Sequence, residues 1–187
     1  KPKYLNSPET RLFNKRNNLY GLNFARASRR KYIILCEGYM DVITMHQAGF
    51  DCAAASLGTA LTSQQANLLK RYTDEVLLLY DSDGAGTMAS LRAIPILKDA
   101  GISAKVVNLL PYKDPDEFIK ALGPEELEKR LEEAGNAFMF EIEKLSADYQ
   151  LSDPQDKTVF QHETAKRLLN FPEELERNNY IDAISKK

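Results

Sequence analysis

The sequence predicts an α/β fold: an open parallel four-stranded sheet flanked by helices, with a C-terminal helical appendage. Three observations carry this. Four short apolar runs, YIILC (32–36), CAAAS (52–56), VLLLY (76–80) and AKVVNLL (104–110), punctuate the middle of the chain. They are continuous rather than alternating, the pattern of strands covered on both faces. Each is followed by a stretch with helical character across a short connection, the grammar of parallel strands joined by crossover helices.

The elements follow in order. Residues 1–14 are turn-rich, with Pro2, Asn6, Ser7 and Pro8. Residues 15–28, KRNNLYGLNFARAS, read as a helix, which Gly21 weakens by about 1 kcal/mol relative to Ala. After the first strand Gly38 breaks the run, and MDVITMHQA reads as a helix stopped by Gly49. After the second strand Thr62 is a good N-cap for a helix over SQQANLLKRY. After the third, glycines precede a helix over TMASLRAIPILKDA, where Pro95 is a possible kink. Beyond Asp114 strand signals stop. PDEFIKALG, PEELEKRLEEAG, AFMFEIEKLSADYQ and the stretch from 153 onward all read as helical. Acid-rich first turns such as Glu125 and Glu126 suit the positive end of a helix dipole.

Composition is that of an ordinary globular domain, 43% hydrophobic and 28% charged. No apolar run approaches the roughly 20 residues of a membrane span, so no membrane partner is expected. The opening KPKYLNSPET lacks a secretory-signal pattern and an initiating Met, which suggests a cytoplasmic fragment of a longer protein. Cys36, Cys52, His46 and His162 do not offer the paired spacing of a zinc site. Free cysteines in apolar strands and a reducing cytoplasm fit better. The net charge of −2 hides an asymmetry: residues 1–31 hold nine Lys or Arg against Glu9 alone, and the rest holds 16 basic residues against 26 acids. A basic head on an acidic body suggests that the head meets a polyanion.

Ligands of open parallel sheets bind beyond the carboxyl ends of the strands. Carboxylates follow three of the four strands: Glu37 with Asp41 one turn on, then Asp81 and Asp83, then Asp114 and Asp116. Crowded carboxylates repel one another and are relieved by protonation or by a divalent cation. Mg²⁺ takes oxygen ligands, often one or two carboxylates plus substrate phosphates. In an extended D-x-D segment both side chains share a face, and Pro115 stiffens the second such pair. Gly84 and Gly86 read as a sharp turn beside the first. Each acid alone is as well explained as a helix cap, Asp83 and Asp116 above all, but three clusters at one sheet edge favour a metal. Phosphoryl chemistry is then the natural use. Three other readings are weaker. The G-x-G-x-x-A at 84–89 follows two aspartates that would repel a pyrophosphate. An EF-hand loop would need Glu where Arg92 stands. A haloacid-dehalogenase-like phosphatase would use Asp81 and Asp83 but leave Glu37, Asp41 and the basic head without a role.

CEGYMDV followed by a D-x-D after a third strand resembles the Toprim fold of topoisomerases, some nucleases and bacterial primases. PKYLNSPET, FNK and NLYG within residues 2–21, EGYMDVI with ASLGTALT within 37–62, and KDPDEF at 113–118 narrow the resemblance to bacterial DnaG-type primases. It implies a Toprim domain over 31–122, the end of a basic core subdomain over 1–30 and a helical bundle over 123–187. It also implies RNA primer synthesis on single-stranded DNA from ribonucleoside triphosphates by a two-metal mechanism, with Mg²⁺ or Mn²⁺ as cofactor. Glu37, Asp81 and Asp83 would be the catalytic ligands, supported by Asp41, Asp114 and Asp116. Lys3, Asn6 and Lys15, with the adjacent Arg16, would meet nucleotide and template. The replicative helicase is an implied partner through a C-terminal domain not present here. Zinc is not expected in this chain, since the family's N-terminal zinc module is also absent, and the chain alone is expected to be weakly active or inactive. A non-catalytic, metal-stabilised nucleic-acid-binding module is the alternative outside enzymes.

Overall fold

A computed structural model of the protein describes residues 8–11 and 13–186. Lys3 and Asn6 lie outside the described residues. The chain forms two compact units, one ending at Gly135 and one beginning at Asn136.

The first unit holds α1 (Leu22–Ala25), β1 (Ile33–Cys36), α2 (Tyr39–Gln47), β2 (Ala53–Ala55), α3 (Ser63–Lys70), β3 (Glu75–Leu79), α4 (Gly84–Asp99), β4 (Ser103–Val106), α5 (Pro115–Leu122) and α6 (Pro124–Glu132). A two-residue strand, β5 (Gly135–Asn136), follows α6. The sheet order is β2-β1-β3-β4-β5, and the pairings among β1 to β4 are parallel. The four expected strands are present. The fifth is too short to carry a periodicity, which is why the sequence did not announce it.

Strand burial follows from the apolar runs. All four residues of β1 and residues 76–79 of β3 are buried. Ile34, Cys36, Leu77 and Leu79 join one core with Val42, Met45, Phe118, Leu127 and Leu131 of the helices α2, α5 and α6. The alternate set, Ile33, Leu35, Val76 and Leu78, is buried too, so both faces are covered. Cys36 and Cys52 are free and buried. Burial pushes the Cys36 thiol well up and the Cys52 thiol up to about 11, so both are inert near neutrality. Arg30 ties the approach to β1 to α6: its two terminal nitrogens donate to the two carboxylate oxygens of Glu128 at 2.6 and 2.7 Å. The guanidinium also lies 5.1 Å from the Phe50 ring centroid and donates to the Tyr32 hydroxyl.

Residues 15–28 depart from the expected single helix. A one-turn 3₁₀ segment covers Lys15–Asn17 and α1 only four residues. Between them Tyr20 exchanges two backbone hydrogen bonds with Ala55, at 2.8 and 3.0 Å. Gly21 then takes φ +78, and a Cβ there would stand 2.8 Å from both the Ala53 carbonyl oxygen and Val42 Cγ1. The sheet edge has claimed the backbone that a helix would have used. Pro95, by contrast, is accommodated inside α4.

The second unit is helical, as expected: α7 (Ala137–Ser146), α8 (Pro154–Leu168) and α9 (Glu174–Ser185). Asn136 caps α7 and Asp153 caps α8. Phe138 meets Phe171 at 4.8 Å and Tyr180 at 4.7 Å between ring centroids, giving the unit an aromatic core. Among the described residues no helix is long and apolar enough to cross a membrane.

Gly21→Ala combines a strained left-handed residue with two close contacts and is expected to cost about 2–3 kcal/mol. Gly49→Ala is the control: its φ is +94 but nothing stands within 4 Å of a Cβ, so about 1 kcal/mol is expected. Urea unfolding of both variants checks this; equal losses would remove the steric part of the account.

Candidate functional site

In the order β2-β1-β3-β4 the chain leaves β1 toward one side and returns for β3 on the other. The carboxyl ends of β1 and β3 therefore flank the switch point, where parallel sheets open a crevice. Cys36 pairs with Leu79 in register, so the next step out sets Glu37 opposite Tyr80, with Asp81 one residue beyond. The Asp81 backbone N–H donates to the Glu37 carboxylate.

Each acid is held by local structure. Asp41, in the first turn of α2, accepts from the Gly38 N–H at 2.9 Å with Oδ2. Asp83 has extended backbone (φ −82, ψ 178) and caps α4, its Oδ1 accepting from the Gly86 N–H at 2.9 Å. Gly86 is packed so tightly that a Cβ would overlap the carbonyl of Asp81. This corrects the reading of Gly84 and Gly86 as a turn device: neither has positive φ. Gly86 is required by close approach, while Gly84 faces open space.

The second acidic pair is brought alongside by one backbone contact: the Ser82 N–H donates to the Lys113 carbonyl at 2.7 Å. Here too the expectation needs correction. Pro115 does not stiffen a loop between two like-facing acids; it opens α5, and Asp114, not Asp116, is the cap, accepting from the Glu117 N–H at 2.9 Å. Asp116 lies in the helix, its Oδ2 paired with Lys120 Nζ at 2.6 Å and its Oδ1 3.4 Å from Thr44 Oγ1.

The electrostatics record the crowding. The Glu37 pKa is raised by partial desolvation, then by the charges of Asp81 and Asp83. Asp41 is raised by burial, against the Gly38 hydrogen bond, with Asp81, Asp114 and Asp116 adding to the rise. All six predicted acids thus lie in one electrostatic neighbourhood. Among the described residues, however, no three His, Cys, Asp or Glu side chains converge as a ready-made metal cage.

Lys15 and Arg16 lie beyond the same sheet edge, over the N-terminus of α3. Thr62 Oγ1 donates to the Arg16 carbonyl at 2.7 Å, and Gln65 Nε2 donates to the carbonyls of Lys15 and Asn18 at 2.9 and 2.8 Å. Gln65 is fully buried, and Thr62 with Gln65 forms a capping box. Sequence reasoning found Thr62 as a cap but missed Gln65, although a Thr-x-x-Gln spacing signals it. Ser82, Thr44 and Lys113 were also missed as site builders, because only tertiary contacts give them that role.

The chain matches the Toprim-like family model over residues 34–119. It matches the model for the N-terminal domain of the DNA primase catalytic core over residues 1–26. It is 42% identical to the DNA primase of Clostridium acetobutylicum over 188 residues, covering all of this chain and 31% of that protein. With the DNA primase of Aquifex aeolicus it shares 45% identity over 139 residues, 73% of this chain and 28% of that one. A structure of the DnaG primase catalytic domain bound to ssDNA superimposes with a TM-score of 0.86 at 33% identity, covering 100% of this chain and 62% of that chain. The chain spans about a third of the length of the curated relatives it matches. With a Toprim-like match joined to a primase-core match, and similarity to part of several primases along the whole of this chain, the chain belongs to the DnaG-type DNA primase family, within its Toprim-containing catalytic core.

Proposed function

We propose that this chain carries the metal-binding part of a DNA-directed RNA polymerase that makes primers for replication. The observation that carries the reading is the gathering of Glu37, Asp41, Asp81, Asp83, Asp114 and Asp116 at the switch point, where burial first and the neighbouring carboxylates second raise Glu37 and Asp41.

The donor set fits Mg²⁺ or Mn²⁺. It is all oxygen, and such ions are typically held by one or two carboxylates and completed by water and substrate phosphates. Glu37, Asp81 and Asp83 would hold the ions, with Asp41, Asp114 and Asp116 supporting them. When bound, the ions would activate the primer 3′-hydroxyl and stabilise charge on the leaving pyrophosphate. Glu37 serves as a ligand or, with its raised pKa, as the carboxylate that accepts the 3′-hydroxyl proton. The fixed N–H of Asp81 orients Glu37, and the Asp83 and Asp114 caps lock those side chains to helix ends. Lys15 and Arg16, on a turn pinned by Thr62 and Gln65, would meet phosphates of nucleotide or template; Lys3 and Asn6 are proposed for the same role. Single-stranded DNA and ribonucleoside triphosphates are the proposed partners, the first supported by the relative bound to ssDNA. The replicative helicase is proposed for the whole protein. The phosphatase reading leaves Glu37, Asp41 and the KDPD loop idle.

Manganese titration followed by electron paramagnetic resonance is the primary test. Asp81→Ala and Asp83→Ala are each expected to weaken Mn²⁺ binding about tenfold or more; unchanged affinity in both would sink the site. Gly86→Ala displaces the Asp81 backbone and is expected to cost about 2–4 kcal/mol of stability, with loss of Mn²⁺ affinity, while Gly84→Ala leaves both nearly intact. Since folding raises the Glu37 and Asp41 pKa values, their contribution to stability is full below the unfolded carboxylate pKa and is lost as pH rises through the folded values. The metal-free Glu37→Gln variant should therefore gain in melting temperature over wild type at pH 7.5 and show no gain near pH 4. A gain independent of pH would contradict the raised pKa of Glu37.

A further inference from the structure

Two lysines stand in the KDPD region, and only one is committed to the acids. Lys120 Nζ pairs with Asp116 at 2.6 Å. Lys113 is exposed, and among the described residues its ammonium makes no ion pair. Its backbone is fixed on both sides: the carbonyl accepts from the Ser82 N–H and the N–H donates to Glu117 Oε2, each at 2.7 Å. The residue is thus anchored between the D-S-D segment and the Asp114 cap, with a free charge on a flexible stem.

A lysine whose backbone is fixed next to this acidic group, and whose ammonium pairs with none of the acids, can serve an anion that arrives with the metals. A polyphosphate fits. Its oxygens facing the ions are neutralised by them, while the outer oxygens need a cation from another side. Lysine is suited to that role as a point charge for phosphate. We propose that Lys113 binds the triphosphate tail of the incoming ribonucleotide, and so selects triphosphates over monophosphates. This rests on the metal reading above. Lys113 touches substrate in this account but moves no proton and forms no bond.

The test uses the chain itself, titrated calorimetrically with Mn²⁺ alone, with ATP at saturating Mn²⁺, and with AMP at saturating Mn²⁺. Lys113→Ala is expected to weaken ATP binding about tenfold, in line with loss of one charge-assisted phosphate contact. AMP binding should change by less than about twofold. Affinity for Mn²⁺ alone should stay equal or tighten, since a cation beside the carboxylates is gone. Lys113→Arg should keep most of the ATP affinity. Equal ATP binding by wild type and Lys113→Ala, equal weakening for ATP and AMP, or Mn²⁺ binding by the wild type without ATP binding would each overturn the assignment of Lys113. No Mn²⁺ binding by the wild type would instead overturn the metal reading beneath it.

Discussion

The site depends on the parallel pairing of β1 with β3. Cys36 opposite Leu79 is the last paired step of two strands buried over residues 33–36 and 76–79, and the next residues out are Glu37 and Tyr80, with Asp81 beyond. The apolar runs make this register rigid. A slip of one residue would turn every side chain of a strand to the other face, setting Ile33 and Leu35 where Ile34 and Cys36 now pack. Because the register is fixed by burial, acids that repel one another can still be delivered to one place. The helices add to this: α2, α4 and α5 all begin at the same sheet edge.

Capping and metal binding are not rival explanations for the acids. Asp83 and Asp114 each use one carboxylate oxygen to cap a helix, and Asp41 uses one on Gly38. A carboxylate has two oxygens and about four acceptor positions, so a cap restricts the side chain without exhausting it. Capping also fixes the rotamer before any ion arrives, which is what a metal site needs from its surroundings. Asp116 differs, since Lys120 and Thr44 already engage it; it reads as the outer member of the group.

Much of this was legible in the residues because strands buried on both faces announce themselves as unbroken apolar runs, and strand ends place whatever follows them. Glu37, Asp81 and Asp83 could therefore be assigned to one edge without coordinates. What was not legible came from contacts between distant segments. Residues 15–28 carry apolar positions compatible with a helix, yet the edge of β2 competes for Tyr20 and wins through two hydrogen bonds. Gly86 looked like a turn residue because sequence shows the missing side chain but not what fills its place, here the backbone of Asp81. Pro115 carries a fixed φ that serves a loop or a first helical turn equally well, and only the Glu117 N–H bonding to Asp114 decides between them. Ser82 is an ordinary residue between two aspartates until its N–H is seen on Lys113.

The central claim is that carboxylates from the ends of β1 and β3 share a divalent ion at the switch point. The most direct measurement is a crystal structure of the chain with Mn²⁺ and a ribonucleoside triphosphate, with metal positions taken from anomalous scattering. The account predicts manganese peaks coordinated by Glu37, Asp81 or Asp83, with at least one ion shared between residues following β1 and β3. Peaks bound only elsewhere, or a single peak that touches the acids of one strand end and leaves the other unligated, would contradict it.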